Sequence, residues 1–573
     1  MIPASPFVLL DDAAAGQATL FTEPVEALST RTLDGVQEVL ARLGRGENWA
    51  GFIGFESGAA LESGVPARLP PGDEPLLWFA RFARCAPVVA DDWLAAAPPD
   101  PAPRLGPAVP TIAAADHAAA VARIHALIAA GDIYQANLTF AAEVAVHGHP
   151  AALYRRLRAG SRAPYGALVF TGAHWLLSFS PELFFRLEGR QLTARPMKGT
   201  ALRGGNAVED SARAEALLSD PKNRAENLMI VDLLRNDLSR VATQVAVPAL
   251  FEVETYPTIL QMTSTITAEA RPGMVAVDVL RALFPCGSIT GAPKIRSLQV
   301  IGDVEPAPRG VYTGSIGAIH GNGDAQFNVA IRTLVLPVGS STARLGLGSG
   351  IVADSDPAAE WQECLDKAGF LVRQGPPGLI ETMRCEGGDL PDLDRHLARM
   401  AASAAFLGHR FDAGRVADAV RAAATGHDGR VRLLLAPSGA IAVQCGPLPP
   451  ALAEPVPVGL ASLPVDAADW RLRHKTSDRA FYDAARRAGG APEVLLVRPD
   501  GLITEGSFTS LFVERGGRLL TPPLALGLLP GILRARLLAE GMTEEAELTK
   551  SDLSDGFFIG NALRGLMRAH LAR

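Results

Sequence analysis

Carboxylates, lysines and glycines that could serve acid–base or ion-binding chemistry are concentrated in four clusters between residues 180 and 367. The clusters cover residues 180–182 with 195–200, 222–237, 287–294, and 348–357 together with the helical stretch that follows. Glu360 and Glu363 are three residues apart and share one face of a helix. With Glu226 from a second helix they could supply hard oxygen ligands, the kind that Mg²⁺ prefers. An isolated pair of this spacing is more often a solvated acidic face.

Two further features of these clusters suit an anionic substrate. Gly348 and Gly350 allow backbone N–H groups to approach an anion closely, although such glycines alone usually mark a turn. Lys198, next to Gly199 and Thr200, could act as a nucleophile or a base, although an isolated lysine is usually a surface charge. The residues by themselves therefore indicate a magnesium-dependent enzyme for an anionic substrate, without naming the reaction.

The last third of the chain carries a different set of reactive residues. Lys475, the acid Glu505 and the start of a helix at residues 529–532 are the parts that a pyridoxal phosphate site needs. A helix start with glycine exposes N–H donors and the positive end of the helix dipole, which suits a phosphate group. Taken singly, Lys475 would be a solvated charge and the glycine a plain helix start.

Helical and strand-like stretches alternate throughout the chain, which indicates an α+β protein. Apolar periodicity predicts helices over residues 116–130, closed by Gly131, and over 225–234, 358–373 and 392–407. Predicted strands lie at residues 167–170, 315–320, 343–347, 431–435, 494–497 and 510–513. The proline-rich residues 98–110 cannot form a helix or an inner strand and predict a surface connection. Residues 375–378 predict the domain boundary, and no internal repeat relates the two sides.

The composition restricts the class of protein. A length of 573 residues exceeds one hydrophobic core, and 48% hydrophobic residues are ordinary for a globular protein. The net charge of −7 argues against nucleic-acid binding. Five scattered cysteines fit a reducing compartment, and neither a signal peptide nor a run of about 18 apolar residues is present. We therefore expect a cytoplasmic protein that makes no membrane contact.

The four clusters, in this order, resemble the chorismate-utilising family, which includes anthranilate, aminodeoxychorismate, isochorismate and salicylate synthases. The resemblance is strongest over residues 115–374 and implies an α/β sandwich domain over residues 1–374. It implies that Glu226 and Glu363 hold Mg²⁺ with Glu360 beside them. It assigns substrate binding to Tyr312, Arg332, Thr200 and the segment Gly348, Ser349 and Gly350.

Lys198 separates the members of this family. Anthranilate synthases resemble this chain but carry alanine there, whereas aminodeoxychorismate synthases carry lysine. The resemblance implies that Lys198 adds to the ring while Glu182 protonates the departing hydroxyl. Gln261 departs from the family, in which histidine is common. Cys286 fills a position that is not nucleophilic in the family, so we expect the ammonia to come from a separate glutamine amidotransferase subunit, with free ammonia as the alternative.

Residues 379–573 resemble the fold-type IV pyridoxal-phosphate family, which implies an α/β domain over that range. The resemblance implies that Lys475 binds pyridoxal 5'-phosphate covalently and moves protons, and that Glu505 pairs with the pyridine nitrogen. It assigns the phosphate to Arg399, Gly531 and Ile532. Ser510 and Leu533 replace residues common in that family. Members of this family usually dimerise, so a homodimer through this domain is expected.

Together the two resemblances predict a fused enzyme that aminates chorismate and then removes pyruvate to give 4-aminobenzoate. Three alternatives remain at this point. The second half could be an amino-acid aminotransferase, or the first half could be an anthranilate synthase. The first half could also be a non-catalytic scaffold that docks a glutaminase, although the presence of Glu182, Lys198, Glu226 and Glu363 argues against it.

Overall fold

The computed structural model describes residues 2–44, 46–97, 103–203, 207–255, 259–371 and 377–572. Two units can be separated. The first comprises Met1–Ala201, Glu215–Tyr256 and Leu260–Gly375, and the second comprises Leu202–Ala214, Pro257–Ile259 and Pro376–Arg573. Within the described residues no helix is both long and apolar enough to cross a membrane.

Strands dominate the chain before residue 372. They are β1 (Phe7–Asp12), β2 (Gln17–Thr30), β3 (Asn48–Ile53), β4 (Leu77–Val88), β5 (Arg104–Pro110), β6 (Gln135–His147), β7 (Tyr165–Phe170), β8 (His174–Ser180), β9 (Leu183–Glu188), β10 (Gln191–Arg195), β11 (Met197–Leu202), β12 (Ala242–Thr255), β13 (Ile259–Ala270), β14 (Gly291–Ala292), β15 (Ser315–Ile319), β16 (Ala325–Asn328), β17 (Thr333–Pro337) and β18 (Thr342–Ile351). The helices are α1 (Leu33–Arg42), α2 (Gly58–Leu61), α3 (Ala90–Ala95), α4 (Ala114–Ala129), α5 (Pro150–Ser161), α6 (Ala207–Ser219), α7 (Pro221–Ser239), α8 (Ala276–Leu283), α9 (Lys294–Val304) and α10 (Pro357–Lys367).

The strands of the first unit form an antiparallel sandwich. One layer runs in the order β1, β7, β8, β17, β18, β6 and β5. The other runs β2, β4, β3, β15, β16, β9, β10 and β13, and β1 pairs with β2 to join the layers. Because side chains alternate along a strand, Val8 enters the inner core while Phe7 and Leu9 pack on the outer face. Helices cover both outer faces.

The second unit contains two sheets. Its strands are β19 (Leu379–Cys385), β20 (Gly429–Leu435), β21 (Ile441–Gly446), β22 (Val456–Ser462), β23 (Glu493–Val497), β24 (Ile503–Gly506), β25 (Ser510–Arg515), β26 (Arg518–Thr521), β27 (Thr543–Glu545), β28 (Phe557–Asn561) and β29 (Gly565–Leu571). Its helices after residue 376 are α11 (Leu393–Leu407), α12 (Ala413–Ala424), α13 (Ala480–Gly489) and α14 (Ile532–Ala539). Strands β19–β20–β21 pack against α11 and α12, and β22 to β29 form the larger mixed sheet.

Most elements predicted from periodicity are present. Gly131 has φ +79° and follows α4, as a glycine that closes a helix should. Two predictions differ from the structure. Residues 104–110 form the strand β5, which among the described strands pairs with β6 alone and contains a register shift, so the prolines fall on an edge strand. Helix α10 ends at Lys367, earlier than the helix predicted over residues 358–373, and a short 3₁₀ turn follows it. Residues 98–102 and the first two residues of the predicted boundary at 375–378 lie outside the described residues.

Candidate functional sites

The first candidate site is built around Lys198, on strand β11. An ideal Cβ placed on Gly350 would lie 3.1 Å from Lys198 Nζ, 2.5 Å from Gln135 Nε2 and 3.0 Å from Asn137 Oδ1. These three polar groups therefore meet in a space that exists because residue 350 has no side chain. Burial lowers the pKa of the Lys198 amine, the nearby charge of Lys367 adds to this, and Glu226 opposes it. A neutral amine is the nucleophilic form.

Gly350 lies at the end of β18, which pairs with β6 over ten residues. Gly348 and Ser349 precede it on the same strand, and Ser349 is buried. The carbonyl of Gly348 accepts a hydrogen bond of 2.7 Å from Lys367 Nζ. The pairing of β18 with β6 thus fixes the glycine segment beside Lys198.

Glu182 is the second titratable group near Lys198. Its side chain is 5% exposed, and Ser288 Oγ donates a 2.6 Å hydrogen bond to Oε1. Burial raises the pKa of Glu182 to about 7, while Ser288 and Lys198 lower it in part. A carboxyl with a pKa raised in this way is protonated far more readily near neutral pH than an ordinary glutamate, which is what a general acid needs. Ser288 orients this carboxyl, a role that the sequence pattern did not indicate.

The predicted metal ligands come from two helices. Glu226 lies on α7, and Glu360 and Glu363 lie on α10. Burial raises the pKa of Glu226, and the charges of Glu360 and Glu363 raise it further, so the three carboxylates act on one another. Ser355 Oγ donates to Glu360 at 2.7 Å, and Glu363 forms a 2.8 Å ion pair with Lys367.

This oxygen donor set has the chemistry that Mg²⁺ prefers. The charge of Glu363 is stabilised as well, because the ion pair with Lys367 lowers its pKa even though burial opposes ionisation. However, within the described residues no three histidine, cysteine or acidic side chains come close enough together to hold a metal ion. The donor chemistry fits the ion, while the side-chain arrangement is not that of a closed metal site.

The remaining predicted substrate residues occupy different positions. Tyr312 is buried against Gly346, where a Cβ would lie 2.0 Å from the tyrosine ring, and burial raises its pKa. Arg332 is half-buried with φ +51°, and its carbonyl accepts a hydrogen bond from the Phe179 N–H. Thr200 is exposed and its hydroxyl donates a 2.9 Å hydrogen bond to Gln261 Oε1.

Gln261 is a residue whose contact the sequence did not reveal. Its Nε2 donates a 2.8 Å hydrogen bond to the Gly199 carbonyl while its Oε1 accepts from Thr200. Gly199 has φ +88°, in the left-handed region that favours glycine. Gln261 therefore holds the two residues that follow Lys198.

Cys286 is not placed to act as a nucleophile. The side chain is 3% exposed, and burial raises the pKa of its thiol to about 12. Its sulfur lies 3.3 Å from Ser288 Oγ. A thiol this basic supplies almost no thiolate near neutral pH.

The second candidate site lies in a cavity of about 450 Å³ in the second unit. All five residues predicted to bind pyridoxal phosphate line it: Lys475, Glu505, Arg399, Gly531 and Ile532. Burial lowers the pKa of Lys475 to about 7, and the charges of Arg479 and Arg399 contribute. The backbone carbonyl of Lys475 accepts a 3.0 Å hydrogen bond from the Ile380 N–H, which joins it to β19.

Arg399 is held in one orientation by hydrogen bonds within the protein. Its Nε and Nη2 donate to the two oxygens of Glu381 at 2.8 and 2.6 Å, and Nη1 donates to the Pro530 carbonyl at 2.8 Å. His396 Nδ1 lies 2.6 Å from Glu381 Oε2. Burial opposes ionisation of Glu381, but Arg399 and His396 lower its pKa to about 2. The arginine is therefore directed by a fixed carboxylate.

Glu505 also lines the cavity. Tyr482 donates a 2.7 Å hydrogen bond to Glu505 Oε1, and burial raises the pKa of Glu505 to about 7. At the phosphate end, Gly531 is the N-cap of α14, and Ile532 is the first helical residue. A Cβ on Gly531 would lie 2.5 Å from Ser510 Oγ, so the approach to these amides depends on glycine. The residues fit pyridoxal phosphate.

Comparisons with known proteins assign both regions to families. Residues 6–373 match the family model of chorismate binding enzymes, and residues 378–571 match that of class IV amino-transferases. The aminodeoxychorismate synthase component 1 of Klebsiella aerogenes is 41% identical over 254 residues, covering 44% of this chain and 56% of the relative. The anthranilate synthase component 1 of Streptomyces coelicolor is 40% identical over 255 residues, covering 44% of this chain and 50% of the relative.

A solved structure supports the fold of the first unit. The crystal structure of anthranilate synthase component I from Streptococcus pneumoniae has a TM-score of 0.54 and 28% identity, covering 62% of this chain and 92% of that chain. The present chain spans about half the length of the curated relatives it matches. The class IV match implies pyridoxal phosphate. Both family resemblances and the mixed fold predicted from the sequence are confirmed, and the chain belongs to the family of chorismate binding enzymes, with a class IV aminotransferase region following it.

Proposed function

We propose that the chain makes 4-aminobenzoate from chorismate in two steps, amination in the first unit and removal of pyruvate in the second. The observation that carries the proposal is the position of Lys198 Nζ, 3.1 Å from the Cβ site of Gly350. A half-buried lysine at this point supports aminodeoxychorismate synthesis within the chorismate family. The cavity around Lys475 supports a following reaction that needs pyridoxal phosphate.

In the first step, Lys198 adds to ring carbon C2 of chorismate and Glu182 gives a proton to the C4 hydroxyl, which leaves as water. Ammonia then bonds to C4, and the Lys198 amine leaves C2 as the double bonds return. The lowered pKa of Lys198 and the raised pKa of Glu182 both support these roles, because the first shift favours the neutral, nucleophilic amine and the second favours the protonated carboxyl. Tyr312, Arg332 and the backbone of Gly348–Gly350 would bind the enolpyruvyl carboxylate, beside Thr200.

A magnesium ion would be held by Glu226 and Glu363, with Glu360 next to it. When bound, it would supply positive charge to the ring carboxylate of the substrate. Lys367 pairs with Glu363 and favours the ionised form of this carboxylate, which is the form that would bind the cation.

The ammonia would come from a separate glutamine amidotransferase subunit. The high pKa of the Cys286 thiol supports this, because a thiol that stays protonated is not a nucleophile for glutamine. We also propose that the protein acts in the cytoplasm and pairs with a second copy through the class IV region.

In the second step, Lys475 takes the proton from C4 of aminodeoxychorismate, the C3–oxygen bond breaks, and pyruvate leaves as the ring becomes aromatic. When bound, pyridoxal phosphate supplies the electron-withdrawing ring that acidifies this C–H bond. Glu505 would hold the pyridine nitrogen in its protonated form, and Arg399 with the Gly531 and Ile532 amides would bind the phosphate. Lys475, with a pKa of about 7, can both accept and return a proton near neutral pH.

The test is mass spectrometry of the products formed by the full chain from chorismate, ammonium and Mg²⁺, with and without pyridoxal phosphate. We expect aminodeoxychorismate without the cofactor, and 4-aminobenzoate with pyruvate when it is present. Anthranilate as the product would overturn the first step. Accumulation of aminodeoxychorismate in the presence of the cofactor would overturn the second.

A further inference from the structure

The cavity of the second unit contains more positive charge than the cofactor requires. Arg399 is already paired with Glu381, and Arg486 is paired with Asp483 at 2.9 Å. Arg430 and Arg432 also line the cavity, and no ion pair between them and an acidic residue is formed among the described residues. Among the described lining residues the acidic ones are Asp483 and Glu505, and Glu505 accepts a hydrogen bond from Tyr482.

Strand β20 places these two arginines side by side. Val431, Leu433 and Leu435 on this strand are fully buried in the core with α11 and α12. Since side chains alternate across a strand, Arg430 and Arg432 lie together on the opposite face. Thr382, which also lines the cavity, is the register partner of Arg432 on β19.

Arg430 is partly withdrawn from solvent. Its Nε is buried and has no hydrogen-bond partner in the described structure, and its Nη2 lies 3.7 Å from the Cβ position of Gly446 on β21. A desolvated guanidinium without a carboxylate is costly, and an incoming anion offsets that cost. A bidentate arginine contact is the arrangement that carboxylates prefer.

We propose that Arg430 and Arg432 form a carboxylate subsite that makes this cavity selective for dianionic cyclic amines. The inference rests on the proposed second step, because aminodeoxychorismate carries two carboxylates and neither is attached to the amine-bearing carbon. An α-amino acid has its carboxylate on that carbon, next to the cofactor. The arginine pair separates the lyase substrate from amino-acid substrates by the position of the negative charge.

The test uses the full-length holoprotein and the variants Arg430→Met, Arg432→Met and Arg384→Met. Arg384 is the matched control, because it lies on β19 as the register partner of Arg430 on β20. Its side chain donates a hydrogen bond to Glu386 and does not line the cavity. With supplied aminodeoxychorismate, we expect KM to rise roughly 10- to 100-fold in the two cavity variants, because each loses a charged hydrogen bond to the substrate. The kcat of these variants should stay within about threefold of the wild-type value. Arg384→Met should match the wild type, and Arg430→Lys should recover part of the affinity.

A binding measurement separates this inference from the proposed function. Calorimetric titration of the holoprotein with benzene-1,3-dicarboxylate and with benzoate needs no turnover. We expect the dicarboxylate to bind more tightly than benzoate in the wild type, and the difference to disappear in Arg430→Met and Arg432→Met. Equal binding in all variants, or a loss of pyridoxal phosphate affinity in the cavity variants, would overturn the subsite. A wild-type chain that binds the dicarboxylate but releases no pyruvate would overturn the lyase reaction and leave the subsite standing.

Discussion

Substituting Gly350 by alanine tests the geometry of the amination site directly. The added Cβ would lie 2.5 Å from Gln135 Nε2 and 3.1 Å from Lys198 Nζ. Ordinary contacts begin at about 3.5 Å, so Gln135 must move by about 1 Å and Lys198 by several tenths of an ångström. Gly350 does not have a positive φ, so the backbone itself accepts alanine. The expected damage is therefore to the position of the amine.

A displacement of about 1 Å in a reacting group costs on the order of 100-fold in rate, or about 2.7 kcal/mol of transition-state stabilisation. Lys198 moves by less than this, so 100-fold is the upper bound of the expected loss. We expect kcat for chorismate loss with saturating ammonium and Mg²⁺ to fall roughly 10- to 100-fold in Gly350→Ala. The urea midpoint of unfolding should change little. Conversion of supplied aminodeoxychorismate, which uses the other unit, should stay at the wild-type rate.

Gly369→Ala is the matched control, because a Cβ there meets no atom within 4 Å and the residue has no positive φ. It should keep the wild-type amination rate. If the amination rate of Gly350→Ala stays within about threefold of the wild-type rate, the space that Gly350 leaves beside Lys198 has no part in catalysis. A rate loss matched by a large fall in the urea midpoint would equally refute the reasoning, since misfolding would then account for it.

Three further predictions address the reactive lysines and the phosphate end. Lys198→Ala should abolish amination while the chain still converts supplied aminodeoxychorismate to 4-aminobenzoate; product analysis that finds amination intact would exclude Lys198 as the nucleophile. Gly531→Ala should weaken pyridoxal phosphate binding at least several-fold in a fluorescence titration, because its Cβ would lie 2.5 Å from Ser510 Oγ. Adding Ser510→Ala should restore the affinity, and a double variant that still binds weakly would contradict the steric explanation. Covalent capture of pyridoxal phosphate by the apoprotein should accelerate as pH rises through about 7, where Lys475 loses its proton, and then level off; a rate still climbing near pH 10, as for an ordinary lysine, would disprove the lowered pKa.

The parts of the fold that follow from local periodicity could be predicted from the sequence. Residues 225–234 lie within α7, and residues 431–435 lie within β20. The start of α14 at Gly531 was also predictable, because glycine before an apolar helix is a recognisable signal. The prolines of residues 104–110 misled the prediction, since proline is compatible with a strand that pairs on one side only.

Long-range contacts at the sites could not be predicted in this way. The space beside Gly350 is bounded by Gln135 and Asn137 of β6, and their position depends on the pairing of β6 with β18. The orientation of Glu182 by Ser288 joins residues 106 positions apart. By contrast, His396 and Arg399 are three residues apart on α11, so their common face was open to inference. Their shared partner Glu381 lies on a different element, which periodicity does not reveal.

The burial of Lys198 and Lys475 has a consequence for chemical labelling. The chain contains six lysines. Three of them, Lys222, Lys294 and Lys367, are ion-paired to carboxylates, and the other lies on the surface. A mild electrophile near neutral pH attacks unprotonated amines, so its preferred targets are these two half-buried lysines with lowered pKa values, one in each unit. Two peptides from a single digest would thus report the occupancy of both sites at once, with loss of label marking whichever site a ligand has filled.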